Sequence, residues 1–464
     1  MSCNHICSIV PPILLERLCH CDEVDEDIRF SCKATLNIGK NFHEHRHDFF
    51  KDKCSHLHHE NNSHGHQRSG HEHGQNGENK GPQGIIPGAF LQSVIDSSET
   101  SDETKAAAKE NLVFSQQVRD DRAEAAAVAA GLAPEAKPSS KGSLDTETGF
   151  SRSVHDMRNT GDVDDPRTYK LLPGVDARLE GQEPTKDTTA NEAYDMALEV
   201  LKFFKEKFNW DSLDGQAMNV RSSVHVGTKL GNAFWFGPYN QMVYGDGNNF
   251  LHNFTKCVDV IGHEMTHAVI QYNTALVYQD EAGALNEHIS DAFGIMVKQQ
   301  FENETAADAD WLLGEGCLLP GVKGVALRSM KAPGTAYNDP RFGRDLQPEH
   351  MDQIPAIMEK YGDFIRDSDY GGVHVFSGIP NKAFYNASVA FGGYAWEKAG
   401  QIWWKVLSDR RISVNCTFVQ FADATVDVAD ELYGDEAAKV VRDAWNQVGV
   451  VRKDVTAGSL DVKN

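Results

Sequence analysis

The sequence has no apolar run approaching the roughly 20 residues that a membrane-spanning helix needs. It has no excess of positive charge either. Lys and Arg number 45 against 68 Asp and Glu, a formal charge of −23, with the acidic residues spread along the chain. That balance argues against nucleic acid as a partner. A disulfide framework is also missing: of nine cysteines, Cys3, Cys7, Cys19, Cys21, Cys32 and Cys54 lie at the amino-terminal end, and the other three are scattered. An odd, uneven set of this kind points to reduced, intracellular synthesis. The amino terminus lacks a basic leader, and Pro11-Pro12 breaks its only apolar stretch. It does not read as a signal peptide. Cytoplasmic synthesis is the expectation, with leaderless export left open.

What is present is metal chemistry. The run Asp259-Val-Ile-Gly-His-Glu-Met-Thr-His267 contains His-Glu-x-x-His. On a helix His263 and His267, four residues apart, project from one face about one turn from each other and can hold a Zn²⁺ ion. The Glu264 carboxylate, offset around the helix, can reach a metal-bound water as a general base. A catalytic zinc needs a third protein ligand and one open position. Downstream, Glu281-Ala-Gly-Ala-Leu-Asn-Glu287-His-Ile-Ser-Asp291 sets Glu287 and Asp291 four apart on one helical face. Glu287 is the candidate third ligand. Asp291 is the candidate acceptor for the outer N–H of a ligand histidine, which would fix that ring's tautomer. An isolated His-Glu-x-x-His can arise by chance on a surface helix; a second segment at matching spacing makes chance a poor account.

Together, Gly-His-Glu-Met-Thr-His and Gly-Ala-Leu-Asn-Glu-His-Ile-Ser-Asp resemble the thermolysin family of zinc metallopeptidases. The resemblance covers about residues 150 to 451 and implies an α+β class fold: a two-lobed zincin with an α+β amino-terminal lobe (151–270), a mostly helical carboxy-terminal lobe (271–464) and a pro-segment (1–150). It also implies one catalytic zinc on His263, His267 and Glu287. Asp369-Tyr-Gly-Gly-Val-His374 is a third signature, in which His374 donates to the tetrahedral intermediate, Asp369 orients His374, and Tyr278 is the second donor. The segment Asn232-Ala233-Phe-Trp235 matches an edge strand that holds substrate backbone, a case of β-augmentation. Arg328 matches an arginine that binds a substrate carbonyl. Phe254, Val260 and Leu327 match the pocket for the residue after the scissile bond, and their apolar character implies a preference for Leu, Ile, Phe or Val there. Asp259, Asp310 and Glu315 match carboxylates of the family's paired calcium site, but Lys298 and Leu312 stand at the two other acidic positions. Calcium wants six to eight oxygens, so at most one calcium is expected.

At 464 residues the chain suggests two or three units. The start, Ser8-Ile-Val-Pro-Pro-Ile-Leu-Leu-Glu-Arg-Leu18, resembles the Pro-Pro-containing propeptides of protealysin-like members, which implies an inhibitory pro-segment. Between Phe42 and Gly74 lies a tract with ten histidines, from His43 to His73. It cannot build a core and reads as a low-complexity spacer, its metal affinity incidental. Residues 88–131 read as one or two helices and 134–148 as a linker. Phe150-Ser-Arg-Ser-Val-His-Asp156 with Leu171-Leu-Pro-Gly-Val175 resembles the mature amino-terminal hairpin. A protease that prefers an apolar residue after the cut could process itself before Phe150. Asn191–Phe208 reads as a packed amphipathic helix, Met218–Val226 as a half-buried strand, and Ala233–Trp235 with Met242–Tyr244 as paired strands.

The expected function is thus a zinc endopeptidase acting on proteins or peptides. It is made as a zymogen, its pro-segment the intramolecular inhibitor. Two rival readings stand beside it: a metal-buffering protein that uses the His-rich tract and carries an inactive protease lobe, and a cytoplasmic regulatory module kept shut by its pro-segment.

Overall fold

Five short strands form one mixed sheet, with aromatic residues concentrated in the last two. They are β1 (Arg152–Asp156), β2 (Val175–Leu179), β3 (Val220–Val224), β4 (Ala233–Phe236) and β5 (Gln241–Tyr244), in the order β2-β1-β3-β5-β4. The chain is seen here as a computed structural model that describes residues 149–160, 171–227, 230, 232–247, 251–339 and 343–451. Apart from Gly149 and Phe150, the expected pro-segment, its His-rich insertion, its helices and its linker lie outside the described residues.

β1 pairs antiparallel with β2 and parallel with β3, and β3 runs parallel to β5. The amino-terminal hairpin is therefore set later than the sequence suggests: its second strand begins at Val175 rather than ending there. β3 is also more enclosed than a half-buried strand. Four of its five residues are buried, because it lies between two neighbours and under a helix. β4 pairs only with β5, Phe234 opposite Val243, and is the sheet edge that faces the rest of the molecule.

Helix α1 (Thr188–Phe208) packs on the sheet, with Ala193, Tyr194, Ala197 and Leu201 on its buried face, while Phe204 stacks on Phe293 of a later helix. Asp187 caps it by accepting from the Ala190 N–H, and Asn209 ends it in a left-handed turn. Two long helices follow, α2 (Val258–Asn273) and α3 (Asp280–Glu302), both buried along nearly their whole length. They meet at glycines. A Cβ on Gly294 would lie 2.6 Å from the Asp259 carbonyl oxygen, and one on Gly262 would lie 3.1 Å from the Gly294 Cα. Only glycine permits this backbone approach.

Short antiparallel pairs, β6 (Leu312–Leu313) with β7 (Arg328–Ser329) and β8 (Asn338–Asp339) with β9 (Gly343–Arg344), lead into the helical lobe. That lobe comprises α4 (Ile354–Ser368), α5 (Val373–Phe376), α6 (Gly378–Phe391), α7 (Ala399–Ser408), α8 (Phe418–Tyr433) and α9 (Asp435–Gln447). Trp403 stacks on Trp445 with ring centroids 6.1 Å apart, and Phe384 and Phe421 pack edge-on against Trp403. One apolar cluster runs from Phe150 to Val450, so sheet, central helices and helical lobe share a core. Among the described residues no helix is long and apolar enough to cross a membrane.

His225, just past β3, clips two elements together. Its Nδ1 lies 2.6 Å from Asp246 Oδ1 and its Nε2 lies 3.0 Å from Oδ2 of Asp187, the cap of α1. The hydrogen bond to Asp246, aided by Asp187 and opposed by burial, raises the imidazole to about 9. Because the folded value exceeds the ordinary 6.5, this stabilisation is complete below the ordinary value and is lost as pH rises through about 9. His225→Gln should therefore lower the thermal midpoint at neutral pH and lose less stability than the wild type between about pH 7 and pH 9.5. Parallel alkaline falls in the two proteins would rule out the clip.

Candidate metal centre and active site

His263 and His267 extend from one face of α2, and Glu287 reaches them from α3. One ligand atom of each lies within 4.8 Å of the others, and all three side chains are buried. The two Nε2 atoms are 3.0 Å apart, and each imidazole is 3.4–3.6 Å from the Glu287 carboxylate.

The far sides of both rings face polar partners. His267 Nδ1 lies 2.8 Å from Asn286 Oδ1 and 3.0 Å from Ser290 Oγ. His263 Nδ1 lies 2.7 Å from Asp291 Oδ1. With Nδ1 carrying the proton against these acceptors, both Nε2 lone pairs point inward. Glu287 Oε2, facing them, has no hydrogen-bond donor. Three acceptors converging in a buried place repel one another unless a cation sits among them. Nitrogen, nitrogen and carboxylate oxygen are the donor set suited to zinc, so the residues present fit that ion.

Glu264 sits beside the ligand pair, fully buried, and its Oε2 accepts the backbone N–H of Trp235 on β4 at 3.0 Å. The edge strand and the motif helix are thereby joined. Opposite, Tyr278 donates its hydroxyl to Glu287 Oε1 at 2.5 Å and lies 3.2 Å from His374 Nε2. His374 is set by two left-handed glycines, Gly371 (φ 83°) and Gly372 (φ 98°), just before α5. Its Nδ1 lies 2.6 Å from Asp369 Oδ1. Burial disfavours the charged ring, but Glu287 and Asp369 outweigh burial and raise His374 to about 9.

Arg328 is fully buried. It grips Asp291 with two bonds, Nε to Oδ2 at 2.8 Å and a terminal nitrogen to Oδ1 at 2.7 Å. Burial alone would raise Asp291; Arg328 and His263 outweigh it and hold the carboxyl well below the usual range. Phe254, Val260 and Leu327 are buried together in the main apolar cluster, and Asn232 and Ala233 open β4. Away from the centre, Lys298 Nζ binds Asp310 at 2.9 Å, Glu315 at 3.2 Å and the Leu312 carbonyl at 3.2 Å, while Asp259 accepts the Gly314 N–H.

Several contacts of the centre go beyond the candidate site residues. Asn286 and Ser290, which engage His267, are four apart on α3, and that spacing is the signal that could have found them. The backbone bond from Trp235 to Glu264 has no such signal.

A paired-histidine helix, a carboxylate from the next helix and an edge strand at their side define a metal-dependent peptide hydrolase of the two-lobed kind. The comparisons agree. The thermolysin metallopeptidase catalytic domain matches residues 143–271, and the thermolysin metallopeptidase alpha-helical domain matches residues 274–450. Protease PrtS of Photorhabdus sp. (strain Az29) is 42% identical over 65% of this chain and 77% of its own. An extracellular metalloprotease of Pectobacterium carotovorum subsp. carotovorum is 41% identical over 65% of this chain and 81% of its own. Among solved structures, the precursor of protealysin from Serratia proteamaculans aligns at 38% identity with a TM-score of 0.60, over 79% of this chain and 99% of its own. The chain belongs to the thermolysin family of metallopeptidases, and it is a zinc-type metalloprotease.

The Arg328–Asp291 pair gives a direct test. Asp291→Ala would strand a buried guanidinium, a loss on the order of 3–5 kcal/mol in denaturant unfolding. A loss below about 1 kcal/mol would mean that the pair is solvated.

Proposed function

We propose that this chain is a zinc endopeptidase, made as a self-processing zymogen, that cuts on the amino-terminal side of bulky apolar residues. The observation that carries the reading is the inward convergence of His263, His267 and Glu287 with Glu264 beside them. His263, His267 and Glu287 would hold the zinc. When bound, zinc lowers the pKa of a coordinated water toward neutrality and acts as a Lewis acid toward the peptide carbonyl.

The chain's own residues do the rest. Glu264 takes a proton from the attacking water and returns it to the leaving amine. Trp235 N–H, bonded to Glu264, keeps that carboxylate in place. Tyr278 and His374 donate to the oxygen on which negative charge develops, and Asp369 holds the His374 ring by its Nδ1. An extended substrate pairs with β4 at Asn232 and Ala233. Arg328, fixed by Asp291, takes a substrate carbonyl. The apolar group Phe254, Val260 and Leu327 receives the side chain that follows the scissile bond.

In this reading residues 1–150 are the inhibitory pro-segment, and 151–270 and 271–464 are the catalytic lobes. The likeness to a protealysin precursor supports the pro-segment. Lys298, bound to Asp310 and Glu315, supplies a fixed positive charge where a divalent cation would otherwise gather those acids. This corner therefore takes at most one calcium.

Glu264→Gln should keep one zinc per chain by metal analysis while casein hydrolysis falls about a hundred-fold or more. Activity within a few-fold of wild type would end the general-base assignment, and two calcium ions per chain in the same samples would end the calcium proposal. Incubating full-length protein with zinc should yield a mature form that starts near Phe150 by amino-terminal sequencing. A start far from residues 140–155 rejects self-processing at the linker.

A further inference from the structure

His288 follows Glu287 directly on α3 but points away from the metal centre, into the helical lobe. It is fully buried, ringed edge-on by Phe384, Trp403 and Phe421 at centroid distances of 6.3, 6.3 and 6.0 Å. An imidazole in such aromatic surroundings is costly unless both nitrogens are bonded. Both are. Trp403 Nε1 donates to His288 Nε2 at 2.8 Å, and His288 Nδ1 lies 2.8 Å from Asn381 Oδ1.

The direction of every bond then follows from one fact: an indole N–H can donate and never accept. His288 Nε2 must carry a lone pair, so the ring is neutral with its proton on Nδ1, and that N–H donates to Asn381 Oδ1. With its oxygen committed, Asn381 turns its amide nitrogen the other way and donates to Asp291 Oδ2 at 2.8 Å. Asp291 Oδ1 in turn faces His263 Nδ1 at 2.7 Å. Residues 288, 381 and 403 come from α3, α6 and α7, so the chain ties three helices to the metal side of α2.

We propose that His288 is a positioning residue for the zinc centre: the one-way sequence Trp403, His288, Asn381, Asp291 fixes the Asp291 carboxylate so that His263 keeps its proton on Nδ1 and its lone pair on the metal side. Arg328 supplies charge to Asp291, whereas this chain supplies orientation. The inference rests on the reading of His263 as a zinc ligand.

The test separates orientation from simple packing. His288→Leu leaves the Trp403 donor and the Asn381 oxygen without partners. The double variant His288→Leu/Trp403→Phe removes the stranded donor and leaves an apolar patch of similar volume. The zinc-free thermal midpoint should fall in the single variant and rise again in the double. Zinc affinity, measured by competition with a chelating dye, should stay weaker by about ten-fold in both, as for other groups that orient metal ligands. kcat should fall with it and KM should change little. Recovery of zinc affinity and kcat along with the midpoint would overturn the proposal, since His288 would then serve only to satisfy Trp403. If neither variant folds, Trp403→Phe alone is read in the same assay. A drop in zinc affinity of about three-fold or more supports the chain, and unchanged affinity overturns it. His263→Ala is the control for the underlying reading: it should abolish stoichiometric zinc binding, and retention of one tight zinc would fault the ligand assignment rather than the role of His288.

Discussion

The approach of α2 to α3 at Gly262 and Gly294 is the constraint on which the rest depends. A side chain at Gly294 would meet the Asp259 carbonyl and push the helices apart, moving Glu287 away from the two imidazoles carried by its neighbour. Because both helices are buried along their length, that spacing is enforced from outside as well: by the sheet and α1 on one side and by the helical lobe on the other. The two lobes are thus less separate units than two halves of a clamp on one helix pair.

Electrostatics explains why so polar a centre can be buried. Asp291 is placed between Arg328 and His263, Glu287 takes the Tyr278 hydroxyl, and His374 leans on Asp369. Each carboxylate meets a donor of opposite or complementary character, which is the condition for keeping ionised groups out of water. At the inward edge of the two histidines and Glu287, by contrast, acceptors face one another at 3.0–3.6 Å. The imbalance there is what a divalent cation corrects.

Much of this arrangement was legible in the sequence because it is local. The period of a helix puts His263 under His267 and Glu287 under Asp291, and paired glycines before His374 announce a tight turn. The strand that carries Ala233 and Trp235 also reads correctly, from its aromatic run and the Gly-Pro that follows. The register of the amino-terminal hairpin does not, since pairing between Ser153 and Leu179 is decided across an intervening stretch. The burial of Arg328 against Asp291, and the line from Trp403 through His288 and Asn381, join residues tens to more than a hundred positions apart. No periodicity encodes such meetings; they exist only once the helices have packed. The first 148 residues, which the sequence sets apart by composition, lie outside this structural description.

Lys298 carries one further implication. A free ion holds a cluster of acids only in proportion to how much of it the surroundings supply, so its contribution rises and falls with ionic conditions. The ammonium that bridges Asp310 and Glu315 is tethered to the backbone of α3. It cannot be washed away, diluted or chelated, so the charge it brings to the corner of the fold that flanks the first turn of α2 does not depend on the surrounding solution.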